Sequence, residues 1–357
     1  MTTAQAKTNR LYFVSPAVDW LAMGGLSIVV WLLLRAWHTG ERTDTVITLG
    51  MQLAWVVNWP HFAATSYRLY QSPDHVRQYP LTAIVLPFVI VLGVVAAFAS
   101  PDLVAPFWAK FFLIWSPWHF SGQTFGVTML YARRGGWRID PWLRRGLLAF
   151  IFGTFLVGTV GAETYEGGLE WYGIDYPALG LPAWTIDAAT ALMYAGLAVV
   201  VVQLVRAARR EKRFPPAIIL LPAAAQYLWF VGGSNWQSFT EFVPLFHSLQ
   251  YLLIAWSMQL QTVVASQPSK RNVAVTTARW CVANFAGGVV LFYILPLLAT
   301  TLGYELTFAT AVIIAGVQIH HFFVDGVIWR LRSTAVTSPL MGTFTDVIAG
   351  PPKREAA

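Results

Sequence analysis

Charged side chains are scarce in this chain of 357 residues, of which only 11% are Asp, Glu, Lys or Arg. Soluble globular domains contain about 25% charged residues. Hydrophobic residues instead make up 56% of the sequence, and aromatic residues make up 15%. This composition excludes a soluble enzyme and a disordered protein, because neither exposes so much apolar surface to water. The shortage of charge therefore predicts an integral membrane protein.

Cysteine is the second residue in short supply. The single cysteine, Cys281, cannot form an internal disulfide. A secreted disulfide scaffold is therefore excluded, and so is an iron–sulfur cluster, which needs several thiolate ligands. The sequence contains no C-x-x-C-H motif, so any haem would be bound non-covalently.

Long apolar runs follow one another along the chain. A membrane-spanning helix needs about 20 mostly apolar residues, because lipid offers no hydrogen-bond partner to a free backbone group. Ten runs meet this requirement and predict an all-α bundle of ten transmembrane helices. One domain, 16–332, is expected between a cytoplasmic tail at 1–15 and a flexible cytoplasmic tail at 333–357. The predicted spans are 16–36, 46–67, 80–99, 105–131, 146–162, 183–206, 215–232, 238–264, 280–302 and 307–329.

Basic residues are segregated along the sequence. Of the 24 Lys and Arg residues, 21 fall in the two tails and in the even-numbered loops between the predicted spans. Positively charged loops remain in the cytoplasm, so both termini are predicted to be cytoplasmic, in a protein of the cell membrane. The longest loop on the other side, about 163–182, is acidic. Topology and contact with anionic lipid thus explain the net charge of +7, and nucleic acid is not expected as a partner.

Histidines are concentrated within the predicted spans. Five of the seven lie in the second, fourth, eighth and tenth spans, which run in the same direction across the bilayer. These are His61, His119, His247, His320 and His321. Ionisable residues at membrane depth are costly to insert and usually functional. The pattern predicts one shared histidine site inside the bilayer, with His38 and His75 in loops outside it.

Polar side chains lie on the same helical faces as these histidines. Residues three or four positions apart share a face of a helix, and amides or carboxylates beside an imidazole fix its tautomer in metal sites. The side chains with this spacing are Asn58, Gln123, Gln250 and Gln318, together with Tyr251 and Asp325, which are the candidate catalytic residues. Because Gln318, His321 and Asp325 share one face, the spacing favours His321 over His320 as the residue that faces the site.

The predicted site is chemically suited to a transition metal. Histidines with carboxylate neighbours suit iron, copper or zinc better than magnesium or calcium. Haem is the alternative, because imidazoles on facing helices can serve as its axial ligands. A lone histidine in a membrane often serves only to hydrogen-bond a neighbouring helix. Five histidines on four helices favour a common metal site.

Four short motifs contain these histidines: WPHFAAT at 59–65, WHFSG at 118–122, FHSLQY at 246–251 and IHHFFVD at 319–325. In this order they resemble the PHG, HFG, HS-x-x-H and PH-x-x-x-x-D elements of the Brp/Blh family of membrane β-carotene dioxygenases. The resemblance implies a non-heme iron centre with Asp325 beside it. The ligands that it implies are His61, His119, His247 and His320. The chain differs at Tyr251, where the family has a second histidine.

These observations leave three hypotheses open. The first is an iron-dependent oxygenase that binds Fe(II) and acts on a hydrophobic, lipid-dissolved substrate such as a carotenoid. The second is a haem- or quinone-linked electron-transfer subunit. The third is a transporter, or a non-catalytic subunit that works with other membrane proteins. Paired interrupted helices and internal repeats, which are typical of transporters, are not evident in the sequence.

Overall fold

The computed structural model describes residues 10–37, 43–264, 269–331 and 334–349. Within these ranges the chain is nearly all α-helical, with one antiparallel hairpin of strands β1 (Leu169–Trp171) and β2 (Ile174–Tyr176). Short π or 3-10 segments interrupt or extend several helices: Leu21–Gly25, Leu81–Val85, Ala217–Ile219, Leu228–Gly232 and Val290–Ile294. The α-helices are α1 (Pro16–Trp20), α2 (Leu26–Trp37), α3 (Thr43–Val56), α4 (Asn58–Tyr70), α5 (Pro73–Gln78), α6 (Leu86–Ala99), α7 (Val104–Arg134), α8 (Pro141–Glu163), α9 (Trp184–Glu211), α10 (Leu221–Tyr227), α11 (Gln237–Thr240), α12 (Val243–Val263), α13 (Lys270–Val289), α14 (Leu295–Thr300), α15 (Leu306–Ile328), α16 (Thr334–Leu340) and α17 (Phe344–Ala349).

Helical residues coincide with every predicted span. The second span is divided at Val57 between α3 and α4, because Pro60 cannot donate to the carbonyl of Val56 and its ring clashes with that carbonyl. Six helical segments are long and apolar enough to cross a membrane, which identifies an integral protein of a lipid bilayer. These segments are Pro16–Ala36, Leu81–Ala99, Pro141–Glu163, Trp184–Glu211, Lys270–Thr300 and Leu306–Ile328.

Apolar side chains cover the outer surface of the bundle. On α6, for example, Phe88 and Leu92 are 70% and 68% exposed. An apolar patch of this kind is rare on a protein surrounded by water, but it is the expected surface for contact with lipid tails. The outer helices therefore separate the centre of the bundle from the bilayer.

The centre of the bundle is occupied by α15, which packs against α4, α6 and α7. In turn, α4 packs against α12 and α13. The approach of α13 depends on Gly288, because a Cβ at this position would lie only 2.8 Å from the backbone of Trp59. This close contact holds the beginning of α4, which includes His61, against the central helices.

The two described ends of the chain meet at Arg134, the last residue of α7. Its guanidinium donates hydrogen bonds to the carbonyl oxygens of Leu11 and Tyr12 near the start of the chain. It also donates to the carbonyl oxygens of Leu340 and Gly342 near the end. Both described ends therefore lie on the same side of the bundle.

Residues 334–349 are not the flexible tail that was predicted for 333–357. They form α16 and α17, in which Val336, Leu340 and Val347 are buried. Val336 and Leu340 are one helical turn apart and present one apolar face to the core. Helices this short are stabilised by the surface on which they pack rather than by local propensity, so the sequence pattern alone does not predict them. Residues 350–357, like residues 1–9, lie outside the described residues.

On the opposite side of the bundle, the carboxylate of Glu163 ties the hairpin to the helices. It accepts hydrogen bonds from Lys110 Nζ at 2.8 Å, from the Tyr176 hydroxyl and from the Leu179 N–H. Burial, together with this carboxylate, raises the pKa of the Tyr176 phenol well above its usual value. Lys110 is one of the three basic residues outside the tails and even-numbered loops, and its ion pair with Glu163 explains this exception.

We expect Arg134→Gln to lower the free energy of unfolding by about 3 kcal/mol, because the buried backbone carbonyls would lose charge-assisted hydrogen bonds. Thermal unfolding of the purified protein in detergent measures the effect, and limited proteolysis should then cleave the terminal segments sooner. Arg133→Gln is the matched control, since Arg133 is the exposed neighbour on the same helix. Equal stability of the two variants would contradict this role of Arg134.

Candidate metal centre

Four helices bring four histidines together in the interior of the bundle. The residues are His61 on α4, His119 on α7, His247 on α12 and His321 on α15. One ring nitrogen of each lies within 4.8 Å of the corresponding nitrogens of the others, and all four side chains are buried. We refer to these four residues as the histidine cluster.

The shortest contact in the cluster joins His119 Nε2 to His321 Nε2, at 3.1 Å. If both nitrogens carry lone pairs, they repel each other unless a cation lies between them. Two nitrogen ligands at about 2.1 Å from one metal ion in adjacent positions are about 3.0 to 3.4 Å apart, depending on the coordination geometry. The observed separation therefore fits two ligands of one metal ion.

Hydrogen bonds set the tautomer of His61. The Ser248 hydroxyl donates to Asn58 Oδ1 at 2.7 Å, so its proton is not available to the imidazole. Ser248 Oγ, 2.8 Å from His61 Nδ1, must then accept a hydrogen bond from the N–H of that nitrogen. This leaves the lone pair of His61 on Nε2, a buried atom that has no hydrogen-bond partner among the described residues.

The same logic applies to His321. The Thr65 hydroxyl donates to Asp325 Oδ1 at 3.1 Å and lies 2.8 Å from His321 Nδ1. Thr65 Oγ1 therefore accepts from Nδ1–H, and the lone pair of His321 is on Nε2, facing His119. Hydroxyl groups that fix an imidazole in this way are characteristic of metal ligands.

His247 is held by packing and by its backbone rather than by hydrogen bonds to its ring. Its imidazole stacks on Phe120 with 3.7 Å between ring centroids. Gln123 Nε2 donates to the His247 carbonyl at 3.0 Å and to Gln250 Oε1 at 3.3 Å, and Gln250 donates to the Met23 carbonyl. Within the described structure, both ring nitrogens of His247 are buried without a partner.

Unpaired buried nitrogens are the main observation in favour of a metal. A buried polar group without a partner costs about 1 to 3 kcal/mol, and three such nitrogens belong to His61 and His247 alone. A metal ion bound by the cluster would remove most of this cost. Opposite ligands of one ion are about 4.2 Å apart for bond lengths of about 2.1 Å, so all four histidines can bind it after a contraction of about 0.6 Å from the observed 4.8 Å.

Asp325 and Tyr251 lie beside the cluster, as their spacing along α15 and α12 predicts. Asp325 Oδ2 is 3.5 Å from His321 Nε2 and 3.8 Å from His119 Nε2. Its other oxygen accepts from Thr65, from the Tyr251 hydroxyl at 3.3 Å and from Trp329 Nε1 at 3.2 Å. The Tyr251 ring stacks on His61 at 4.3 Å.

His320 lies outside the cluster, contrary to its predicted place among the ligands. Consecutive residues of an α-helix point about 100° apart, so only one of His320 and His321 can face the centre. Helical spacing places His321 on the same face as Asp325, whereas the family motif selects His320. In the structure His321 belongs to the cluster, as the spacing predicts. Gln318 is half-buried and makes no hydrogen bond to the cluster in the described part of the chain.

Two residues hold imidazoles of neighbouring helices, a pairing that sequence spacing does not predict. Thr65 lies four residues after His61 and shares its face, but it binds His321, on another helix. Ser248 directly follows His247, but it binds His61. The sequence shows that hydroxyl residues lie near the membrane histidines. It does not show which histidine each hydroxyl binds, because that depends on how the helices pack.

Haem does not fit the cluster. The rings are in mutual contact, with 4.5 Å between the centroids of His61 and His321 and 4.8 Å between those of His119 and His321. The axial imidazoles of one haem bind opposite faces of the flat macrocycle, so a gap that holds the macrocycle must separate the two rings. No such gap separates these imidazoles, so the arrangement suits a single ion.

Comparisons with protein-family models, with curated proteins and with solved structures return no match.

We expect Thr65→Val to lower the metal affinity of the purified protein about 10- to 100-fold, because the hydroxyl that orients His321 is lost. Thr65→Ser should restore most of the affinity. Thr128→Val is the matched control, since the Thr128 hydroxyl is buried on α7 without a hydrogen-bond partner in the described structure. Metal titrations followed by competition with a chelator measure the three affinities. Similar values for Thr65→Val and Thr128→Val would contradict the assignment.

Proposed function

We propose that this protein is a membrane-bound non-heme iron oxygenase that acts on a hydrophobic substrate dissolved in the bilayer. The histidine cluster is the observation that carries the proposal. It supplies four buried imidazoles on four different helices, with one ring nitrogen of each within 4.8 Å of the others and a carboxylate beside them. Structural histidines in membranes need one partner each and have no reason to converge in this way.

The proposal includes a bundle of ten membrane helices with both termini in the cytoplasm of the cell membrane. The meeting of the two described chain ends at Arg134 supports it, because an even number of spans returns the chain to the side from which it started. The segregation of Lys and Arg residues supports the orientation. Four of the ten predicted spans are outside the six segments that meet the criteria of length and hydropathy, and three of these four carry cluster histidines.

Fe(II) is the metal of this proposal. Neutral imidazoles with one nearby carboxylate suit iron, copper or zinc, and the resemblance to the membrane β-carotene dioxygenases selects iron among them. When bound, ferrous iron would supply an open position at which O₂ can be activated for reaction with an unsaturated substrate. Cleavage of a carbon–carbon double bond by O₂ gives two carbonyl groups, so that the reaction needs no external reductant.

The side chains around the cluster are suited to bind the substrate and to control protons. Asp325 and Tyr251 share a hydrogen-bonded network with Thr65, and both line a cavity of about 340 Å³ that reaches His119. Phe322 also lines this cavity and stacks on the His119 ring at 4.7 Å. Asp325 and Tyr251 would hold a proton next to the reacting atoms, while the aromatic wall excludes water.

The resemblance to the membrane β-carotene dioxygenases supports an oxygenase but requires two changes in this chain. His321 takes the place that the family motif assigns to His320. Tyr251 occupies the position of the second histidine of the third motif and offers a hydroxyl near Asp325 instead of an imidazole. A carotenoid-like substrate belongs to the proposal on this ground.

We expect the purified protein to bind about one iron per chain and to lack a Soret band. His119→Ala should abolish iron binding, since it removes one of the closest pair of ligands. His320→Ala should retain iron, because His320 lies outside the cluster. Elemental analysis and visible absorption spectra of the three proteins provide the measurements.

His75→Ala is the control for this experiment, since His75 lies on α5 and hydrogen-bonds the Arg68 carbonyl. A Soret band in the wild-type protein would favour the electron-transfer hypothesis. Full retention of iron by His119→Ala would rule out the cluster as the metal site. The absence of metal from every preparation would favour a transporter or a non-catalytic subunit.

A further inference from the structure

The cavity beside the cluster extends along α7. Residues of α7 at every third or fourth position, from Trp118 to Leu130, form one of its walls. Twelve residues of α-helix span about 18 Å, and the cavity volume is about 340 Å³. A cavity of this length and volume can accommodate one extended hydrocarbon chain.

Glycines open one side of this cavity toward the bilayer. Gly122 and Gly126 on α7 and Gly326 on α15 all line it. A Cβ at any of the three would meet no atom within 4 Å, and Gly122 and Gly326 are exposed at the surface. The missing side chains leave a gap between α7 and α15 through which a lipid-dissolved chain can enter sideways.

A basic residue also lines the cavity. Arg330 lies more than one helical turn further along the chain than Asp325, which lies beside the cluster. Arg330 is exposed and has no ion-pair partner among the described residues. Asp325 is engaged by Thr65, Tyr251 and Trp329 instead, so the arginine remains available to an anion at the mouth of an otherwise apolar cavity.

We propose that this cavity binds a single extended hydrocarbon or polyene chain with an anionic head group, a carboxylate or a phosphate ester, and that Arg330 binds the head. As a statement about the substrate of the cluster, this inference rests on the proposed function. The position of Arg330 supports the orientation, because its guanidinium attracts an anion and lies more than one helical turn along the chain from Asp325, which is beside the cluster. The chain then passes the cluster several carbon atoms away from the head.

Binding of cis-parinaric acid, a fluorescent conjugated-tetraene fatty acid, tests the proposal on metal-free protein. The protein is placed in nanodiscs of neutral phosphatidylcholine, and energy transfer from tryptophan reports binding, since Trp118 and Trp329 line the cavity. Empty nanodiscs correct for partition into lipid. We expect saturable binding of the acid, with about tenfold weaker binding of its neutral methyl ester, because the ester cannot form the charge-assisted contact.

Two variants distinguish the contribution of the ligand's head group to binding from that of its hydrocarbon chain. Arg330→Gln should weaken binding of the acid about tenfold and leave the ester unchanged. Gly126→Leu should prevent binding of both, because the new side chain would occupy the cavity that Gly126 lines, where a Cβ at this position meets no atom within 4 Å. Arg209→Gln, an exposed arginine on α9, and Gly158→Leu, an exposed glycine of α8 with equal space around it, should bind like the wild type.

Competition identifies the source of the head group: displacement by oleate points to a free fatty acid, and displacement by phosphatidate points to a phospholipid. Absence of saturable binding, or equal binding of acid and ester, would overturn the proposal. So would wild-type binding by both Arg330→Gln and Gly126→Leu. Because the assay contains no metal, binding of the acid by a protein that fails to bind iron would reject the iron oxygenase alone. Iron binding without binding of the acid would reject this inference alone.

Discussion

The interior of a membrane protein must supply a partner for every polar nitrogen, because neither lipid nor bulk water is present to do so. Four imidazoles converge in this interior, and neighbouring side chains hydrogen-bond or pack against each of them. Ser248 and Thr65 accept a hydrogen bond from one nitrogen in two of the rings. The opposite nitrogens of these two rings are then left with lone pairs in the centre of the cluster. A shared cation would satisfy them, so the hydrogen bonds that orient the rings also prepare the cluster to hold a metal ion.

The bundle contains two kinds of helix, which differ in how apolar they are. Helices such as α6 are almost wholly apolar, and their exposed side chains, including Phe88 and Leu92, form a surface suited to lipid. The cluster helices α4, α7 and α12 are less apolar, because they carry the amides and hydroxyls that hold the imidazoles. Such helices are stable in a bilayer only when their polar faces are turned toward each other. The outer helices and the close contact at Gly288 provide that arrangement.

Much of this organisation is predictable from the sequence, because hydropathy acts over some twenty residues and marks each helix separately. The faces of His61, His119, His247 and His321 follow from helical spacing alone, and spacing also selects His321 over its neighbour. Contacts between helices are not contained in local patterns. The pairing of Ser248 with His61, and of Thr65 with His321, depends on how α4 packs against α12 and α15. The short helices α16 and α17 were not predicted for the same reason, because they are stabilised by packing against other helices.

These terminal helices also connect the fold to the cavity. Leu340 of α16 lines the cavity, and its carbonyl accepts a hydrogen bond from Arg134. Arg134 in turn binds the carbonyl oxygens of Leu11 and Tyr12, so both described ends of the chain are held together beside the cavity. The cavity remains accessible along its side, where Gly122 and Gly326 leave the wall open. The geometry therefore suits a ligand that arrives from the bilayer rather than from water.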